Sequence, residues 1–142
     1  MNSQRNKDVV RRLDELTSGG DLRQLDALCT PDMINHALAT GRPSGIEGTR
    51  QFLASPRRSQ TAGRWVSSVV VAEGDFVVQF GVRAGEWDGA SFRGLSVPPG
   101  PYTRDVAFMY RLVDGRIAER WAVRDDLGMM LQLGALTLQE RR

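Results

Sequence analysis

Apolar positions at two different spacings divide the chain into a helical opening and a strand-rich remainder. Between residues 6 and 16, Val9, Val10, Leu13 and Leu16 recur at the three- and four-residue intervals of one helix face, and Gly19-Gly20 ends the helix. Asp21 is placed to cap a second helix. Its buried stripe is Leu22, Leu25, Leu28 and Cys29, and Pro31 interrupts it. Residues 31–38 read as extended, with Ile34, His36 and Leu38 on one face and Met33, Asn35 and Ala37 on the other. A turn over residues 41–44 leads to a third short helix marked by Ile46, Arg50, Phe52 and Leu53.

From residue 65 the period falls to two. Residues 65–73 and 76–87 are rich in Val and pair as a hairpin around Gly74-Asp75. In the second of them Val77, Gln79, Gly81, Arg83, Gly85 and Trp87 share a mixed polar and aromatic face suited to a cavity or a subunit interface. Phe76, Val78, Phe80, Val82 and Ala84 form the more uniformly apolar one. Residues 88–102 are dense in Gly, Pro and Ser, and proline cannot donate to an interior ladder, so they read as a loop: an ordinary surface excursion or a substrate-selecting lid at a pocket mouth. Residues 103–113 return to alternation, with Val106, Phe108, Tyr110 and Leu112 against Asp105, Ala107, Met109 and Arg111. Asp114-Gly115 is a tight-turn dipeptide. Beyond it, unbroken alternation puts Ile117, Glu119, Trp121, Val123 and Asp125 on an inward face, opposite Ala118, Arg120, Ala122 and Arg124. Residues 126–136 predict a short helix or turn, and 137–142 a frayed tail. Adjacent Asp125 and Asp126 allow one carboxylate to cap that helix while the other faces a cavity. Helices first and long strands afterwards predict one α+β domain over residues 1–142, a strongly curved antiparallel sheet packed on helices.

Composition narrows the classes of function. A chain of 142 residues with 41% hydrophobic content is long enough for a real core. The net charge of +2 is small and the arginines are scattered, which argues against a nucleic-acid-binding stripe. Lys7 is the only lysine, a bias that fits a GC-rich bacterial genome as well as a physical role. Cys29 is alone and His36 is the only histidine, so neither an internal disulfide nor a zinc site of ordinary Cys/His composition is expected, and metal catalysis is disfavoured. The charged opening lacks the apolar run of a signal peptide and no segment reaches transmembrane length, so a cytoplasmic protein without membrane contact is expected.

Residues 113–134 carry the clearest motif: Asp114-Gly115, Glu119, Trp121, Asp125 and Gln132-Leu133-Gly134. With Asn35-His36, Gly45, Glu47-Gly48 and Phe52, they resemble the SnoaL-like polyketide cyclases of the nuclear-transport-factor-two-like superfamily. The resemblance implies a cone-shaped, curved antiparallel or mixed sheet packed on the N-terminal helices and enclosing a pocket. It implies also a homodimer across the outer sheet face. The implied chemistry is an intramolecular aldol closure in antibiotic biosynthesis on a hydrophobic aromatic or polycyclic intermediate, with an aspartate as acid/base and no cofactor. Arg83 stands where a family histidine is common.

Expected inward parity gathers His36, Trp121, Asp125, Arg83 and Trp87 around that pocket. Asp125 and His36 are the catalytic candidates. Burial beside Trp121 would raise the Asp125 pKa from ~3.9 and make it a better base, while His36 or Arg83 would hydrogen-bond the substrate carbonyl. Trp121, Arg83, Trp87, Phe108 and Asp105 are expected to contact substrate. Other readings stay open. Cofactor-free hydroxylation, isomerisation or epoxide chemistry is one, and the epoxide case calls for Asp105 or Glu119 as a second inward carboxylate. A non-catalytic binding module is another, with Asp125 as a cap, Trp121 as core and His36 satisfied by the backbone.

Overall fold

The helical stripe near the N-terminus forms α1, Ser3–Thr17, which buries Asn6, Val9, Val10, Leu13 and Leu16. A 3₁₀ turn, Leu22–Gln24, follows, begun by the Asp21 carboxylate accepting from the Arg23 amide. It runs into the short α2, Leu25–Leu28. Cys29 does not extend that helix as expected; it opens strand β1, Cys29–Asn35. The computed structural model describes residues 2–38, 41, 43–55 and 63–140. The remaining elements are α3 (Ile46–Ala54), β2 (Arg64–Glu73), β3 (Phe76–Trp87), β4 (Gly100–Val113), β5 (Arg116–Arg124) and α4 (Asp126–Gln132). The turn expected over residues 41–44 and the tail at 137–142 lie partly outside the described residues.

The architecture is α+β. One five-stranded mixed sheet has the order β1-β5-β4-β3-β2, antiparallel except where β1 runs parallel to β5. It is an open sheet with β1 and β2 at its edges. An edge position explains how Pro31 sits inside β1, because one side of that strand needs no ladder donor. Pro101 lies in β4 beyond Val106, the last β4 residue matched to β5, so that stretch also has a free side. Residues 100–102, read as loop from the sequence, therefore pair with Trp87, Glu86 and Gly85 and lengthen β4.

α1 and α2 cover the inner face of the sheet, where Val77, Val106, Phe108, Tyr110, Leu112 and Ile117 complete a core with Val10, Leu13, Leu25 and Met33. Each fully buried aliphatic side chain contributes ~1.5–3 kcal/mol. The two hairpin strands approach so closely at Gly81 that a Cβ there would meet the Ser67 carbonyl oxygen, and Ser68 Cα at 2.7 Å. A second cluster unites Trp87, Val97 and Tyr102 with Met129 and Met130 of α4 and with Leu133 just after it. The 88–99 connection is thus anchored through Val97, which is 2% exposed, and through Trp87 Nε1 donating to the Ala90 carbonyl.

The expected parity of β5 is overturned. Leu112 pairs with Ile117 but Arg111 pairs with Glu119, so Ala118 is an extra residue, and Ile117 and Ala118 are both buried. A β-bulge of this kind advances the chain by one position and reverses which residues face inward. After it, Arg120, Ala122 and Arg124 lie opposite the inward Tyr110, Phe108 and Val106, while Glu119, Trp121 and Val123 lie opposite Arg111, Met109 and Ala107. Val123 is 73% exposed. β1 is corrected in the same sense: Met33 and Asn35 are buried, and Ile34 and His36 face outward. In β3 the mixed face bearing Val77 and Gln79 is the buried one, and Phe76 and Phe80 of the more apolar face are exposed.

Candidate functional site

Two polar constellations occupy opposite sides of the sheet. On the outer side the His36 ring stacks on Trp121, with centroids 4.9 Å apart and planes 11° from parallel. Its Nε2 lies 2.9 Å from Glu119 Oε2, and Arg111 donates to Glu119 Oε1 at 2.7 and 2.9 Å. The β1–β5 pairing fixes this group, since Ile34 is in register with Glu119 and the His36 amide donates to the Arg120 carbonyl at 2.8 Å. The contact to His36 and then that to Arg111 hold the Glu119 carboxyl below its ordinary range.

A depressed folded-state pKa contributes stability that is complete above the unfolded value and is lost as pH falls through the folded one. Urea unfolding of wild type and Glu119→Gln should accordingly show wild type more stable near neutrality, with the gap narrowing below about pH 4.5, where a free glutamate takes up its proton. A gap that is constant between about pH 6 and about pH 3 would sink this assignment.

On the inner side, arginine guanidiniums lie over aromatic rings. Arg83 of β3 sits 4.8 Å from the Trp65 ring centroid, and Arg104 of β4 sits 5.3 Å from that of Tyr102. From β5, Arg120 and Arg124 share one ring, Phe108, at 4.5 and 5.5 Å. Arg120 is also 5.9 Å from Tyr110. Their rows follow from register, because Arg83 pairs with Arg104, Val106 with Arg124 and Tyr110 with Arg120. Trp65 packs edge-on against Phe108 and donates through Nε1 to Asp14 of α1 at 3.0 Å. Burial, deepened by the charges of Arg120 and Arg104, pushes the Arg124 guanidinium down to about 10, with Asp126 opposing the shift. Burial likewise lowers Arg83, with Asp14 as the main opposing charge.

The two adjacent aspartates divide their work. Asp125 is exposed, and its carboxylate caps α4 by accepting from the Gly128 amide at 2.9 Å. Its own amide donates to the Asp105 carbonyl. Asp126 turns towards the arginines: Oδ1 accepts from Arg104 Nη1 at 2.9 Å, and Oδ2 lies 3.8 Å from the exposed Arg93. A groove of about 570 Å³ borders this region, lined by Gly63, Gly85, Tyr102, Thr103 and Gln132 among others. Gln132 closes one side through hydrogen bonds to the Thr103 backbone.

The structure therefore does not bring the expected residues together. Arg83 and Phe108 are on the inner face, whereas Trp87 belongs to the cluster under the 88–99 connection. His36 and Trp121 are together on the outer face, and Asp105 and Asp125 are exposed. Tyr102, Arg104, Arg120 and Arg124, none of them a candidate from the sequence, stand on the inner side instead, and Asp126, one of the two adjacent aspartates, faces them. Arg104 and Tyr102 continue the Val106–Phe108–Tyr110 parity that the sequence displays, so a longer β4 would have included them. Finding Arg120 and Arg124 required the bulge, for which the adjacent apolar pair Ile117-Ala118 is the available signal.

No curated protein sequence matches the chain. Among solved structures, TsrD from Streptomyces laurentii is 24% identical over 94% of this chain and 97% of its own, with a TM-score of 0.72. IdmH from Streptomyces antibioticus is 29% identical over 91% and 98%, with a TM-score of 0.68. A SnoaL-like polyketide cyclase from Agrobacterium tumefaciens is 17% identical over 91% and 98%, with a TM-score of 0.74. The sequence model of SnoaL-like polyketide cyclases matches residues 7–133. With that match spanning nearly the whole α+β fold, the chain belongs to the SnoaL-like polyketide cyclase family.

Proposed function

We propose that this protein is a cofactor-independent ring-closing enzyme of bacterial secondary metabolism, acting by acid/base catalysis on an aromatic or polycyclic intermediate at the inner face of the sheet. The observation that carries the reading is Asp126, a carboxylate set at the edge of an aromatic floor lined with guanidiniums. In the step, the Asp126 carboxylate takes a proton from a carbon next to a carbonyl. The resulting enolate carbon bonds to a second carbonyl carbon of the same molecule, whose π electrons move to its oxygen. That oxygen then receives the proton back from Asp126, so the initial product keeps the mass of the substrate. Arginine N–H groups stabilise the oxygen charge as it develops, in a site that already holds them in place. Asp125 acts as the helix cap, and His36, on the other side of the sheet, takes no part in this step.

Epoxide opening by paired carboxylates gains no support, since Glu119, opposite Arg111, and Asp105, opposite Val82, have the outward parity of their strands. Val69, Val71, Phe80 and Val123 leave apolar surface exposed on the outer sheet face, which favours a homodimer formed there. Among the described residues no helix is long and apolar enough to cross a membrane, in keeping with a cytoplasmic enzyme. The test is incubation of the purified chain with an aromatic ketone bearing a β-diketone side chain, followed by mass spectrometry. Enzyme-dependent formation of a ring-closed isomer, or its dehydrated form, without added cofactor supports the reading. Recovery of the open ketone alone across such substrates would overturn it.

A further inference from the structure

The inner face carries more positive charge than its acidic neighbours offset. Arg83, Arg104, Arg120 and Arg124 all project from β3, β4 and β5 on that side. The facing carboxylates are Asp126, bonded to Arg104, and Asp14, whose charge acts on Arg83. Arg83 also donates to the Gly63 carbonyl at 2.8 Å. Arg120 reaches Asn35 Oδ1 only at 3.5 Å, and Arg124 has no hydrogen-bond acceptor among the described residues. Two buried polar atoms nearby also have no hydrogen-bond partner among the described residues: Arg104 Nε, and Oε1 of Gln79, a residue 4% exposed and opposite Phe108 in the β3–β4 ladder. Leaving such groups unmade is costly unless a ligand completes them.

We propose that Arg120 and Arg124, backed by the Phe108 ring and flanked by Arg104, form a clamp for the carboxylate of an aromatic acid, with Gln79 Oε1 accepting from a neighbouring hydroxyl or N–H of the same ligand. The inference rests on the ring-closure reading for its placement and adds the substrate class: an aromatic ketone that also bears a carboxylate, as against one that is neutral. A planar guanidinium presents two parallel donors that match a carboxylate, and stacking on an aromatic ring fixes the plane from which they point. Holding the Arg124 charge out of water beside Arg120 and Arg104 is also costly, as its lowered pKa indicates. An anion between the two forks offsets that cost.

Calorimetric titration of the full chain with 2-naphthoate and with its neutral isostere 2-naphthamide tests the clamp. Naphthoate is expected to bind about tenfold or more tightly than naphthamide at low salt, in line with the greater strength of charge-assisted hydrogen bonds. Raising salt from about 50 to about 500 mM should shrink that advantage while leaving naphthamide binding unchanged. The double variant Arg120→Gln, Arg124→Gln should lose the preference, and if it fails to fold the salt series decides alone. Equal affinity for the two probes, no binding of either, or a preference indifferent to salt and to the double substitution would overturn the clamp. Equal binding of both would leave ring closure standing, since that step depends on Asp126 and is read by turnover.

Discussion

Replacing Asp126 by asparagine is expected to lower ring-closing turnover by about 100- to 10,000-fold, the usual worth of a positioned general acid/base. The substitution removes the charge and the proton-accepting ability while keeping the shape. Asparagine retains an oxygen able to accept from Arg104 Nη1, the contact that Asp126 makes at 2.9 Å. With the Asp126 side chain 28% exposed, losing the ionic part of that pair should cost only about 1 kcal/mol of stability. The informative partner is Asp125→Asn. Asparagine caps helices as well as aspartate does, so this variant should match wild type in both turnover and stability. Asp125→Ala should instead lose about 0.5–2 kcal/mol in urea unfolding, because the Gly128 amide loses its acceptor, with turnover little changed. Wild-type turnover by Asp126→Asn would remove this residue from the chemistry. A collapse of turnover in Asp125→Asn would return the base to the exposed cap.

The pair also shows how far the sequence carries the site. That two adjacent aspartates allow one to cap α4 while its neighbour turns inward was legible from their spacing and from the helix signal after them. Which aspartate does which was not, because it depends on whether β5 keeps strict alternation. The bulge at Ala118 decides it, and with it every face from Glu119 onwards. Local pattern favoured Ile117, Trp121 and Val123 as one inward stripe, since all are large and apolar. Tertiary pairing instead buries both Ile117 and Ala118 and leaves Val123 to the outer face. Where no bulge intervenes, as from Val106 to Leu112 in β4, the alternation read from the sequence is the one in the structure. The same holds for α1, whose apolar stripe needed no tertiary information. The motif Glu119-Arg120-Trp121 thus supports the family while its two ends, Glu119 and Trp121, stand on the sheet face opposite the arginines.

Arg124→Met is expected to make the ligand-free protein more stable, by about 1–2 kcal/mol. Arg124 lies mostly out of water, near Arg120 and Arg104, and burial pulls its pKa down from the usual guanidinium range to about 10. At neutral pH it stays charged in both folded and unfolded chains, so the folded state bears the full cost of holding that charge. At ~1.4 kcal/mol per pKa unit the shift sets an upper bound of about 3.5 kcal/mol. Losing the cation–π contact with Phe108 takes back ~0.5–1 kcal/mol, and methionine keeps an apolar stem against the same ring. The pH dependence has a definite sign. A base with a lowered folded pKa penalises folding at every pH below that pKa. Above about 10, and until the unfolded guanidinium itself titrates, the unfolded chain holds the extra proton and wild-type stability from this group rises with pH. The advantage of Arg124→Met should therefore be the same at about pH 7 and about pH 9 in urea unfolding, and it should shrink only in more alkaline solution. With 2-naphthoate present the order should close or invert, because only wild type keeps both forks of the clamp. A variant less stable than wild type in the absence of ligand would mean that Arg124 is a structural cation already satisfied by its surroundings, and the case for an anion site beside Phe108 would lose its energetic support.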